Sequence, residues 1–235
     1  MVDVSIVNSG ADAMPVSWHS QRPPRLKSMP VTHQAASHEL ARRDTVMEGL
    51  VARHGLMKIG AAPPASKRFE TLANAIASQQ LNGRAAASIW ARVKALVEGA
   101  FTADAILALP ITQLRGAGLS GSKCASILDL AEQVSDGRVR LERIGRLPND
   151  EVIEHLVAVR GIGPWTAQMF LMFSLRRLDV WPTGDYGVRN GYGRAFNGGV
   201  MPTARELEPL GDRFAPYRSV AAWYCWAAAD DPEYR

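Results

Sequence analysis

Leu156-Val157-Ala158-Val159-Arg160-Gly161-Ile162-Gly163-Pro164-Trp165-Thr166-Ala167 is the stretch that decides how this chain folds. A helical apolar pattern runs to Val159 or Arg160, breaks through Gly-Ile-Gly and restarts at Pro164, a residue suited to the first turn of a helix. The two glycines let the backbone turn sharply and let another chain approach without a Cβ in the way. Ile162 between them is placed to plug into the core and hold the turn rigid. The first N–H groups of the restarted helix have no partner within it, so they form a ready site for one phosphate. Gly161, Ile162, Gly163, Pro164 and Thr166 are therefore candidate contacts to a phosphate backbone, of a kind that is blind to base sequence.

The next informative segment is Leu178-Asp179-Val180-Trp181-Pro182-Thr183-Gly184-Asp185-Tyr186-Gly187-Val188-Arg189-Asn190. Pro182 and Gly184 break the helical pattern, and Asp185 stands where the following helix begins. A carboxylate there can cap that helix, and it can equally serve chemistry. Position alone leaves both readings open.

Elsewhere helical spacing dominates. Phe69, Leu72, Ala73, Ile76 and Ala77 form one stripe; Ile89, Trp90, Val93, Leu96 and Val97 form a second. Cys124, Ile127, Leu128, Ala131 and Val134 mark a helix entered at Ser120 or Ser122 and ended near Gly137. Pro148-Asn149-Asp150-Glu151 reads as a helix start with Asn149 as its cap. Alternating patterns are scarce, the best being the short run from Arg138 to Leu141. The expectation is an all-α protein of about eight to ten short helices. Residues 1–45, poor in periodicity and containing Pro15, Pro23, Pro24 and Pro30, read as a partly extended N-terminal arm, and 46–235 as the helical domain.

The 235 residues suffice for one well-filled core or two small lobes around a cleft. No apolar run approaches the ~18 to 20 residues of a membrane span, and the first thirty residues hold no apolar segment fit for a signal peptide. A cytosolic protein is expected. The two cysteines, Cys124 and Cys225, lie about a hundred positions apart; with no CxxC or Cys/His cluster, neither an iron–sulfur cluster nor a zinc site can be built from them. The formal net charge of +4 permits a polyanionic partner. Between 160 and 194 five arginines (Arg160, Arg176, Arg177, Arg189 and Arg194) stand against Asp179 and Asp185 alone, which suggests a phosphate-facing surface.

Taken together, the hairpin, with TA following Gly-Ile-Gly-Pro-Trp, and the Gly/Pro loop ending in Asp185 resemble the helix-hairpin-helix DNA glycosylase superfamily. More closely they resemble its alkylation-repair branch, the 3-methyladenine DNA glycosylase II type. Ile76-Ala77-Ser78-Gln79-Gln80-Leu81, Gly118-Leu119-Ser120 through Lys123, and Phe214-Ala215-Pro216-Tyr217-Arg218-Ser219 with Trp223 and Trp226 are similar to further motifs of that branch. The resemblance covers about residues 60–230 and leaves the N-terminal arm unexplained.

The resemblance implies two helical lobes around a cleft that binds double-stranded DNA and a flipped, damaged base. It implies a monomer needing no cofactor and no metal, with Asp185 as the catalytic residue, Trp165, Tyr186 and Tyr217 as pocket walls, and Gln80 and Leu81 as the wedge that fills the vacated stack. Trp181, Trp223 and Trp226 are expected in the core. Members that also cleave the strand carry a lysine where this chain has Trp165, so the implied reaction is hydrolysis of the N-glycosidic bond of alkylated purines, the 3-methyladenine and 7-methylguanine class, with the abasic strand left intact. A same-fold glycosylase for deaminated or etheno bases, or a non-catalytic DNA-binding module, are the competing readings. Asp185 argues against the last, because a pure binder gains nothing from a carboxylate facing phosphates.

Overall fold

The computed structural model describes residues 31–234, and among them twelve α-helices and three single-turn 3-10 segments account for all the regular structure. α1 (His33–Arg43) is capped by the Thr32 hydroxyl, which accepts from the Ala35 N–H. Asp44 ends it and caps α2 (Thr45–His54), accepting from Val46 and Met47. Helical order thus begins at His33, inside the segment expected to be extended. The buried face of α1 consists of Ala36, Ser37 and Leu40, and two small residues in three give a stripe too faint for periodicity to register. Residues 1–30 of the expected arm lie outside the described residues.

α3 (Arg68–Ser78) buries Phe69, Leu72, Ala73, Ile76 and Ala77, the stripe read from the sequence. It packs on α4 (Gly83–Ala95) and α7 (Gly121–Ser135), and α7 also receives α5 (Ala103–Leu107) and α6 (Ile111–Gly116). Ser120 caps α7, as expected, by accepting from the Lys123 N–H. A second group forms where α12 (Arg218–Asp230) packs against α1, α2 and α10 (Tyr186–Phe196). α8 (Asn149–Val157) and α9 (Pro164–Phe173) pack on each other and connect the two groups: the end of α8 is tied to α7, and α9 reaches the α10–α12 pair. α11 (Ala204–Leu210) closes the loop between α10 and α12. The buried apolar residues form one continuous core through both groups. Helices outnumber the expectation because α5, α6 and α11 are five to seven residues long, too short to show a periodic stripe.

Arg138–Leu141, the best of the scarce alternating runs, is a turn, with the Val139 N–H donating to the Gln133 carbonyl. Two local expectations change. Asn149 is the first residue of α8 and not its cap; its amide donates to the Asp179 carbonyl instead. Of the five arginines expected to face phosphate, four send guanidinium N–H groups to carbonyls of this chain: Arg176 to Ala61, Arg177 to Gly145 and Leu147, Arg189 to Pro202, and Arg194 to Ala228, Ala229 and Asp231. They serve loops and the end of α12, whose last carbonyls lack helical partners. Arg160 alone of the five is exposed, beside the hairpin.

α10 and α12 approach each other closely. A Cβ on Gly191 would fall on the carbonyl of Cys225, so backbone meets backbone there, where intervening side chains usually hold helix axes about 8–10 Å apart.

Candidate active site and nucleic-acid interface

The hairpin is built as its sequence implies. Gly161 has a left-handed φ of 78°, and a Cβ there would meet the Ser126 Oγ at 2.5 Å. Ile162 is buried. Gly163 caps α9 with φ −93° and ψ 174°, an extended conformation open to any residue, and nothing lies within 4 Å of where its Cβ would be. Pro164 follows at the first helical position. The first bond within α9 runs from the Ala167 N–H to the Gly163 carbonyl, so the N–H groups of Trp165 and Thr166 point out of the helix end without an intrahelical acceptor. Thr166 itself is buried, while Gly163, Pro164 and Trp165 around the helix start are exposed. Three side chains fix the turn from behind: Asp129 accepts the Arg160 N–H at 2.8 Å, the Gln133 amide reaches the Ala158 carbonyl, and the Gln79 amide donates to the Gly161 carbonyl at 2.8 Å.

Gln79 begins the turn that leaves α3. Gln80, which follows, has a φ of 56°, a left-handed conformation costing an L-residue roughly 1–2 kcal/mol. Gln80 and Leu81 are both exposed, and Asn82 then caps α4. An apolar side chain is thus held out in solvent at the tip of a sharply bent turn tied to the hairpin.

Asp185 both caps α10 and gathers side-chain donors. Its Oδ1 accepts the Val188 N–H at 2.9 Å and the Trp226 indole N–H at 2.8 Å, and its Oδ2 accepts the Trp165 indole N–H at 2.6 Å. The residue is 9% exposed. Three donors of this kind, on both oxygens, fix the plane of the carboxylate. Oδ2, with a single donor, keeps the less occupied lone pair. Trp165 binds the carboxylate through its ring edge, so its face stays open, and the residue is 49% exposed; Tyr186, the next residue after Asp185, is 65% exposed. Trp226 was expected in the core and is instead part of this site. Its indole stacks on Phe173 of α9, 5.9 Å between centroids, and lies against the bare Cα of Gly187, where a Cβ would approach Cδ1 to 2.7 Å. Trp181 is a core residue as expected, and Trp223 packs edge-on against Tyr224.

Tyr217 is not brought to this cluster. It immediately precedes α12, and the nine positions from it to Trp226 correspond to about 13 Å along a helix. Its ring is faced by the Arg43 guanidinium of α1, 5.5 Å from the centroid. Among the described residues no group of three or more His, Cys, Asp and Glu side chains is arranged to hold a metal ion, and both cysteines are buried thiols.

With a glycine hairpin, an exposed apolar turn and an indole-bound aspartate in one fold, similarity to known proteins becomes informative. The model of the HhH-GPD superfamily of base excision DNA repair proteins matches residues 73–216. The chain belongs to this superfamily. DNA-3-methyladenine glycosylase 1 of Schizosaccharomyces pombe is 37% identical over 169 residues, covering 71% of this chain and 74% of that protein. The DNA-3-methyladenine glycosylase of Saccharomyces cerevisiae is 33% identical, covering 68% of this chain and 66% of the other. The solved structure of the S. pombe 3-methyladenine DNA glycosylase with abasic DNA superposes with a TM-score of 0.74 at 34% identity, over 84% of this chain and 97% of that one.

In this HhH-GPD protein the sequence reading missed Trp226 and Phe173. Phe173 carried no signal beyond ending an apolar helix. Trp226 carried a weak one, a third large aromatic beside Trp223 and Tyr224 on a helix whose other residues at 221–229 are alanines and Cys225.

Proposed function

We propose that this protein is a monofunctional DNA glycosylase that extrudes alkylated purines of the 3-methyladenine and 7-methylguanine class from duplex DNA and hydrolyses their N-glycosidic bond, acting as a monomer without a cofactor. The observation that carries the reading is the Asp185 carboxylate, held by two indole N–H groups beside exposed aromatic faces.

An alkylated purine of this class bears positive charge, so its bond to the sugar is weakened before the enzyme acts. As that bond breaks, its electron pair leaves with the base and the sugar becomes oxocarbenium-like. A fixed carboxylate stabilises that cation without reorganising during the reaction. The base leaves neutral, and water then adds to the sugar carbon and passes its proton to solvent, directly or by way of the Asp185 carboxylate. Oδ2 of Asp185 is the oxygen with room to face the sugar or orient that water. Trp165 and Tyr186 offer faces on which a cationic base gains a cation–π attraction, of order 1–2 kcal/mol when desolvated. The lysine position of strand-cleaving members holds Trp165, which has no amine with which to form a Schiff base. The hairpin N–H groups grip a phosphate, and Leu81 fills the hole left in the stack.

Mass spectrometry of bases released from methylated, deaminated and etheno-containing duplexes tests the proposal, with Asp185→Asn as control. Release of 3-methyladenine and 7-methylguanine with intact product strands is expected. Release confined to deaminated or etheno bases would overturn the substrate class, and a borohydride-trapped covalent adduct forming as fast as base release would overturn the monofunctional mechanism.

A further inference from the structure

Lys123 stands in the first turn of α7, at the positive end of its own helix dipole, where a cation is unfavourable. No acidic residue accompanies it there. Its side chain leaves α7 altogether. The ammonium donates to the carbonyls of Ala77 and Gln79 at 2.8 and 2.7 Å, at the C-terminal end of α3, where carbonyls lack helical partners and a positive charge is favourable. The residue is half-buried, and desolvation lowers the pKa of its ammonium, a cost that a lysine swinging in solvent would not carry.

Gln79 then passes the connection on. Its carbonyl is held by Lys123, while its side-chain amide donates to the Gly161 carbonyl of the hairpin. The next two residues are Gln80, in its left-handed conformation, and exposed Leu81. A continuous line of hydrogen bonds therefore runs from the first turn of α7, through the backbone and side chain of Gln79, to the phosphate-gripping turn. Extruding a base requires an apolar side chain to push into the stack while the backbone is held, so the pushing turn needs a fixed distance from the grip. Without the ammonium, Gln80 has a route to relax from φ 56°, and Leu81 loses its support.

We propose that Lys123, through Gln79, is a positioning residue for base extrusion that locks the Gln80–Leu81 turn to the hairpin. The proposal rests on the reading of Leu81 as the wedge. The test compares Lys123→Met, which keeps the stem and deletes the donors, and Gln79→Met, which deletes only the link to Gly161, with Leu81→Ala and wild type. Each is checked for an unchanged helical circular dichroism spectrum. The probes are duplexes with 7-methylguanine paired to cytosine or mispaired to thymine, the paired one also with 2-aminopurine beside the lesion, whose fluorescence before excision reports unstacking independently of chemistry, and an undamaged duplex for affinity.

Lys123→Met is expected to slow single-turnover excision of the paired lesion about tenfold, the mispaired one by about twofold or less, because a mispaired base costs less to extrude. The 2-aminopurine signal should fall, affinity for undamaged duplex should stay within about twofold, Gln79→Met should show the same split more weakly, and Lys123→Arg should restore part of the rate. Equal losses on both lesions with an unchanged fluorescence signal would overturn the positioning role and leave Lys123 as a structural cap. If Lys123→Met does not fold, Gln79→Met decides alone by the same split. A split in Leu81→Ala but in neither methionine variant overturns the proposal while the wedge stands; no split in Leu81→Ala removes the wedge and the proposal together.

Discussion

At the hairpin, Ile162 and Thr166 are buried and Gly161 and Gly163 have no side chain, so the exposed turn offers chiefly peptide backbone between Arg160 and Pro164. Around Asp185 the opposite holds: the backbone contributes one donor, from Val188, and two indoles from different helices supply the rest. A backbone donor survives almost any substitution and can be disabled only by crowding it. A side-chain donor can be deleted singly. The first arrangement suits a partner whose every unit carries the same phosphate, and the second suits one reacting bond.

The largest effect should follow from Asp185→Asn. It preserves shape but removes the charge on which the proposed transition state depends, and base release should fall on the order of 10³-fold, the scale of losing a major electrostatic stabiliser. Binding to an abasic-site duplex should change little. Excision by the variant within about tenfold of wild type would remove Asp185 from the chemistry and erase the contrast between the two regions.

Trp226→Phe keeps an aromatic ring on Phe173 and deletes one N–H to Oδ1. A hydrogen bond to a charged group is worth about 1.5–3 kcal/mol, so the single-turnover rate should fall by about tenfold or more, with KM barely altered. Gly187→Ala should act in the same direction by displacing the indole from without. An unchanged rate in both variants would mean that Trp226 is merely a wall.

The two hairpin glycines separate fold from binding. Gly161→Ala must adopt φ 78° and press on Ser126, so thermal stability should drop by about 1–3 kcal/mol. Gly163→Val takes an extended conformation with open space around it. It should melt like wild type yet weaken binding to damaged and undamaged duplexes by the same factor, about fivefold or more, the loss expected of a crowded phosphate contact. Folded Gly163→Val binding undamaged duplex as tightly as wild type at the same salt would show that the anchor lies elsewhere.

The smallest effect on DNA should come from Arg177→Met. Its guanidinium serves the carbonyls of Gly145 and Leu147. Melting temperature should drop, while the slope of log affinity against log salt stays the same; a phosphate-contacting cation would lower that slope by about 0.9. A slope change of that size would return Arg177 to the DNA surface.

The contrast also explains what was legible in the chain. The hairpin is local: Gly161, Ile162 and Pro164 encode the turn within a dozen residues, and its course was legible, although Gly163, read as a second turning glycine, takes an extended conformation. Asp185 could be placed at a helix start, but Trp226 is 41 residues further on, and a tryptophan on a helical stripe reads as core until the opposite helix is known. Tyr217 shows the converse error. A motif match put it in the pocket, but its ring lies under Arg43, in a helix whose small buried residues had concealed it. The arginines misled because sequence counts charge without showing where it points, and four of the five guanidiniums are used to satisfy loop and helix-end carbonyls.

Gly191 has a consequence of a different kind. Because α10 and α12 touch through backbone there, the spacing between the helices that carry Asp185 and Trp226 is governed by peptide geometry, which is the same in every protein, and not by rotamers, which drift as neighbouring residues are exchanged. Substitutions elsewhere in the core can accumulate without moving the carboxylate from its indole. Variation beside the carboxylate is then channelled to Tyr186, which is exposed and makes no hydrogen bond to Asp185. A lineage descended from this protein can change the exposed surface beside Asp185 while the carboxylate stays where it is.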